Sequence, residues 1–199
     1  MILYLFISHN SVVVSDYLRI SAMMQSLNYD HYLIVYGGEK HIENNYVVHI
    51  NCDDSYAGLP SKTNKTMKYL SLNEKIDYVF KTDRTCIVKK IFDKTVIKDF
   101  DYCGRRIRFQ NPDYHKYKCE KTSPWYNKSF NGSEIIYCAG PGYILSKKAM
   151  KIIAKDENYT NHIYEDYYVG ETLKKHNILG VDIPIKEYFY DPEHRGLFR

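Results

Sequence analysis

The sequence predicts an α/β fold, a doubly wound and mainly parallel sheet, in one domain. Three observations point there. Apolar strand-like runs alternate with amphipathic helical stretches across the first half of the chain. The 199 residues suit one hydrophobic core better than two. The run "DYVFKTD" ends on a lone acid, Asp83, at a strand's carboxyl end, where open α/β sheets bind ligands.

The elements follow in order. Residues 2–8 form an apolar strand. Residues 15–27 place Ile20, Met23, Met24 and Leu27 on one helical face, with Ser15 as the expected N-cap. "YLIVYG" is a buried-type strand that stops at Gly37 and Gly38, and "YVVHI" is the next strand. "PSKTNKTMKYLSLNEK" has Pro60 in its first turn and turns Met67 and Leu70 inward as a helix. In the second half, "DYCGRRI" and "EIIYCAGPGYILS" read as strands around a long polar loop, 107–133. A loop of that length in a compact domain is usually functional or mobile. Two further helices are expected at 147–155 and in "EDYYVGETLKKH", followed by a short strand and an irregular tail.

Composition narrows the function classes. A net charge of +4 suits an anionic small molecule without demanding nucleic acid. The basic stretch around Arg105, Arg106, Arg108, Lys116 and Lys118 lacks a nucleic-acid-binding motif, and alternate strand residues face opposite ways. No nucleic-acid partner is expected. Five cysteines with no CxxC pair argue against a disulfide framework and a zinc site. "MILYLFIS" is too short to span a membrane and has the wrong flanks for a signal peptide. The expectation is a cytoplasmic protein without a membrane span. The abundance of Tyr, Asn, Lys and Ile fits an AT-rich genome, such as that of a virus or microbe. No GxGxxG or GKS/T loop follows the first strand.

Four separated stretches carry a resemblance. "CDDSYAGLPSKT" resembles D-x-x-D-S-Y-x-N-L-T-x-K-T, and "FKTDRTCIV" resembles L-K-T-D-D-D-V-F-V. "YCAGPGYILS" resembles Y-C-S-G-x-G-Y-V-L-S, and "EDYYVGETLKKHNI" resembles E-D-V-Y-V-G-x-C-L-x-x-L-G-I. These are motifs of the β-1,3-galactosyltransferase-like family, the inverting glycosyltransferases that include Fringe-type enzymes. The blocks stand in the family's order across residues 50–180; any one alone would be weak.

The resemblance implies a single-domain GT-A fold, with residues 1–100 as the nucleotide-sugar half and 101–199 as the acceptor half, which carries a small mixed sheet. It implies transfer of galactose, N-acetylglucosamine or a similar sugar from a UDP-sugar to a hydroxyl of a glycan or glycoconjugate, forming a β-1,3 linkage. Asp166 would be the general base, because an inverting displacement needs a carboxylate to take the acceptor's proton. Glu165 would orient the acceptor. Read locally, both acids simply suit the start of a helix. Ser8, His9, Lys62, Asp83 and Arg84 fall to the donor side. Lys62 equally suits an exposed lysine lying along an amphipathic helix. Gly140 and Gly142 would let the backbone approach the sugar, or mark an ordinary turn. Trp125 and Tyr126 would stack on an acceptor ring, or anchor a loop.

The family binds manganese or magnesium through the third acid of its D-D-D run and a later histidine. Here that run reads Asp83-Arg84-Thr85, and His194 stands where the histidine is expected. The set Asp83, Thr85 and His194 is therefore short of one carboxylate. Either a metal remains on a depleted set, or cations such as Arg84 and Lys62 meet the diphosphate directly. A degenerate nucleotide- or sugar-binding module of the same fold is the alternative.

Overall fold

The structure is a computed structural model that describes residues 1–108, 119–130 and 132–193. The first half runs β1 (Ile2–Ile7), α1 (Val13–Ser26), β2 (Tyr32–Tyr36), β3 (Val47–His49), α2 (Leu59–Ser71) and β4 (Tyr78–Asp83). β5 (Ile87–Val88) and α3 (Lys94–Ile97) follow. The second half adds β6 (Tyr102–Arg108), β7 (Ile136–Ser146), α4 (Lys147–Lys155), α5 (Glu165–Lys174), β8 (Val181–Asp182) and β9 (Phe189–Tyr190).

Seven strands form one sheet in the order β3-β2-β1-β4-β7-β6-β8. Strands β1 to β4 are mutually parallel, β7 is antiparallel to both β4 and β6, and β8 is parallel to β6. The small second sheet is the antiparallel pair β5 and β9.

Alternation along the strands builds a core on each face. In β1, Ile2, Tyr4 and Phe6 pack towards α1, with Ile20 and Met24. Leu3, Leu5 and Ile7 pack towards the other face, with Met67 of α2, Met150 of α4 and Val169 of α5. A third cluster, around Phe130, Tyr137, Tyr164 and Tyr167, surrounds the start of α5.

The helix start expected at Ser15 is corrected. α1 begins at Val13 after Val12, and the Ser15 hydroxyl instead donates to the Val12 carbonyl. Ser15 therefore lies inside the first turn and bonds back to the residue before the helix. Pro60 occupies the first turn of α2, where a missing N–H costs nothing. Asn64, although in an Asn-x-Thr sequence, is buried and donates to the carbonyls of Ile153 and Asp156 at 2.6 and 2.7 Å. It ties α2 to the end of α4. All five cysteines are free thiols.

Candidate active site

The parallel strands bring their carboxyl ends to one rim. β1 delivers Ser8, His9 and Asn10, β2 delivers Gly37 and Gly38, and β4 delivers Asp83 and Arg84. β7 runs the other way beside β4, with Gly142 opposite Thr82, so Gly140 arrives at the same rim. The start of α5 completes it, because Asp166 accepts from the Gly140 N–H at 2.9 Å.

The β1–β2 side is organised by Asp54. Its carboxylate accepts from the N–H groups of Gly37 at 2.7 Å and Asn10 at 2.5 Å, and pairs with the Lys62 ammonium. Lys62 also donates to the Ser8 carbonyl at 2.9 Å and is only 1 % exposed. It is not a lysine lying along the surface of α2: its side chain runs inward to the carboxyl end of β1. Gly38 has φ +68°, and an added Cβ there would meet the Asn10 amide at 2.8 Å, so the backbone turn needs glycine. The His9 ring lies beside these groups; partial burial, then the Arg84 charge, lowers its pKa.

Arg84 does not point freely into the cleft. Its Nε donates to Asp16 at 2.8 Å, and Asp16, buried in α1, also accepts from the Ser8 hydroxyl at 2.6 Å. Arg19 adds a second guanidinium, 3.6 Å from Asp16 and donating to the Arg84 carbonyl. The exposed part of the Arg84 side chain remains at the rim.

The β4–α5 side is organised by Lys81. Side chains at i and i+2 share a strand face, so Lys81 and Asp83 lie together. The Lys81 ammonium donates to Asp83 at 3.1 Å, to Glu165 at 3.0 Å and to the Gly140 carbonyl at 2.9 Å. Burial opposes its charge, but the two carboxylates more than offset this and hold its pKa above the usual lysine range. Glu165 also accepts from the Thr63 hydroxyl at 3.0 Å and from the Tyr143 hydroxyl. Asp166 is left with two backbone N–H partners, Gly140 and its neighbour Tyr167. Burial, then the Glu165 charge, pushes its pKa up to about 6, against the pull of Lys81 and the two N–H groups.

A model of the Galactosyltransferase family matches residues 38–184, more than half of the chain. The chain belongs to the Galactosyltransferase family. None of the curated proteins compared matches it. Among solved structures, the crystal structure of a protein described as a glucose-1-phosphate thymidylyltransferase from Bacillus anthracis, in complex with a sucrose, superposes with a TM-score of 0.50. It is 7 % identical, over 92 % of this chain and 87 % of that one, so the likeness is one of fold. This member of the Galactosyltransferase family is thus a mixed α/β protein of nucleotidyltransferase-like architecture and a glycosyltransferase. No helix among the described residues is long and apolar enough to cross a membrane.

The metal position expected from the sequence resemblance is poorly supplied here. Asp83 is engaged by Lys81, and the Thr85 hydroxyl lies 3.4 Å from the buried carboxylate of Asp191. No group of three His, Cys, Asp or Glu among the described residues is arranged to hold an ion. A neutral hydroxyl is a weak donor for a hard divalent cation. The described residues therefore do not fit the expected set of Asp83 and Thr85, and its third member, His194, lies outside them.

The remaining candidates divide. Gly140 stands against Asp166, where an added Cβ would come 3.2 Å from the carboxylate. Gly142 sits within β7 rather than in a turn, and an added Cβ there would lie 2.4 Å from the Phe189 ring. Trp125 is half-buried against the Phe130 cluster, and Tyr126 beside it is half-buried too, so Trp125 anchors its loop. Of the basic stretch, Arg106 and Arg108 are exposed and alternate with half-buried Arg105 and Ile107; Lys116 and Lys118 lie outside the described residues. Sequence reasoning passed over Asp16, Asp54 and Lys81. The i, i+2 spacing of Lys81 and Asp83 was a usable signal; Asp16 looked like any acid in a first helical turn.

Proposed function

We propose that this protein transfers a hexose or N-acetylhexosamine from a UDP-sugar to a hydroxyl of a glycan or glycoconjugate, with inversion at the anomeric carbon. A β-1,3 linkage is the form the family resemblance suggests. The observation that carries the reading is the Lys81 hub. One ammonium ties Asp83, at the carboxyl end of β4, to Glu165, at the start of α5. In this reading Asp166 and Asp83 face the reacting sugar from two sides of the rim, the base on one and the donor on the other.

The chemistry follows from that arrangement. The acceptor oxygen attacks the anomeric carbon as the bond from that carbon to the diphosphate oxygen breaks. The electron pair of the broken bond leaves with UDP, and the acceptor's proton passes to the Asp166 carboxylate. A carboxylate with a pKa of about 6 is mostly ionised at pH 7 and holds a proton more strongly than an ordinary aspartate. Glu165, locked by Lys81, Thr63 and Tyr143, orients the acceptor side. Charge building on the leaving diphosphate is met at the rim by Arg84, with Ser8, His9 and Asn10 on the β1 side, while Lys62, enclosed by Asp54 and the Ser8 carbonyl, holds that side in place. Trp125 and Tyr126 contribute to the acceptor side through the loop they anchor.

Asp166→Asn tests this. General-base removal should cut transfer by about 10²–10⁴-fold, while calorimetric UDP binding stays near native. Undiminished transfer removes Asp166 from the mechanism. The altered Asp83-Arg84-Thr85 run favours a second reading, a binding module without turnover; UDP binding with no transfer or hydrolysis of any UDP-sugar would support it.

A further inference from the structure

Lys81 matches the lysine of the family's L-K-T-D-D-D run, but the resemblance assigns it no task, and its surroundings are those of a part, not a filler. It is a strand residue, 3 % exposed, on the face that packs against α2, α4 and α5. An aliphatic side chain would ordinarily hold such a position, since an unpaired ammonium there is costly. All three of its protons are engaged, on acceptors from three elements: Asp83 on its own strand, Gly140 on β7, and Glu165 on α5. The ammonium also lies 5.4 Å from the centre of the Tyr143 ring, whose hydroxyl donates to the same Glu165.

We propose that Lys81 is a positioning residue that clamps the donor-side acid Asp83 and the Glu165 end of α5 to one point, so fixing Asp166 against the cleft. The inference deepens the glycosyltransferase reading and rests on it for the consequence in catalysis. Two links reach Asp166 from this clamp. Glu165 is its chain neighbour, and Gly140 offers its carbonyl to Lys81 and its N–H to Asp166. The groups that bear on the Asp166 charge are Lys81, Glu165 and the phenols of Tyr102, Tyr137 and Tyr143. Only Lys81 among them is a cation. Three acids and one ammonium leave an excess of negative charge, and the clamp decides how much of it Asp166 feels.

The test reads Asp166 without relying on turnover. Carboxyl ¹³C NMR of aspartate-labelled protein, with the Asp166 signal assigned by its loss in Asp166→Asn, should give a native midpoint of about 6. In Lys81→Gln, which removes the charge, that midpoint should rise by about one unit. Lys81→Arg, which keeps the charge, should stay closer to native. In transfer assays Lys81→Gln should lose about 10²-fold in kcat, while UDP affinity is nearly kept. An unmoved Asp166 midpoint, or a loss confined to UDP affinity, overturns the proposal. Should Lys81→Gln fail to fold, the same comparison is made between Glu165→Gln and Glu165→Gln/Lys81→Gln, where one buried carboxylate fewer is left unpaired. An upward shift in the double variant supports the clamp, and no shift overturns it. If Lys81 moves the NMR midpoint while native transfer has no acidic limb near it, the clamp stands and the base role of Asp166 falls.

Discussion

In the proposed mechanism Asp166 gathers the chemistry into one side chain. It has backbone partners and is crowded by a second acid, so its proton is held more tightly than in an ordinary aspartate. The linkage to stability has a definite sign. A carboxyl whose folded pKa is raised contributes most at low pH, and that contribution is lost as pH climbs from the ordinary value of 3.8 through about 6. Asp166→Asn abolishes this loss. The variant's stability relative to native should therefore grow by about 2 kcal/mol between pH 4 and pH 7, at about 1.4 kcal/mol per pKa unit. Denaturant midpoints across that range measure it, and a constant difference would contradict the raised pKa. The lysines were the least legible residues in the sequence. Pattern reading assigns lysine to water, yet Lys62 and Lys81 are both enclosed, because each has a carboxylate waiting at the strand ends. Asp83, two residues away, is the one partner of Lys81 that its neighbourhood announces; Glu165 is 84 positions off.

At the scale of elements, the sequence was far more readable. β1 and β4 lie where their strand-like runs put them, buried on both faces, and α2 buries the face that Met67 and Leu70 mark. The exceptions are local. Ser15 had the chemistry of a cap, but the chain turned helical two residues earlier. Gly142 had the look of a ligand-facing glycine, but the ring that fills its space comes from β9, distant in sequence. The packing of α5 on β7 has its own close contact. Gly170 faces Tyr137, and an added Cβ would lie 2.3 Å from the Tyr137 Cβ. Gly170→Ala should push the helix off the strand and cost about 1–3 kcal/mol. Because α5 carries Asp166, transfer should drop more than UDP affinity does. Urea unfolding and calorimetry on the same variant check both; a native-like denaturation midpoint would show that the helix has room to spare.

Over the whole molecule, parallel strands gather their carboxyl ends at one rim, and the antiparallel β7 brings Gly140 back to it. This explains why the four matched sequence blocks, scattered across the chain, converge in space. It also frames the question of charge. The rim carries Lys62, Lys81, Arg84 and Arg19, and the described residues assemble no three-donor metal set. Accordingly, UDP affinity should change by less than tenfold when manganese is replaced by a chelator, whereas Arg84→Ala should weaken it by about tenfold or more, the scale of a charge-assisted bond to phosphate. Calorimetry with and without manganese decides; strict metal dependence would contradict the reading. Thr85→Asp is expected to tighten manganese binding only if the family geometry survives around Asp83.

The most direct test of the central claim, that Asp166 faces a UDP-sugar across this cleft and drives an inverting displacement, is the anomeric form of the sugar first released from a UDP-α-hexose. Proton NMR can follow slow hydrolysis of the donor before the free sugar equilibrates. The account predicts the β-anomer, and loss of that signal in Asp166→Asn while UDP still binds. Release of the α-anomer, or an undiminished β signal in the variant, would contradict it.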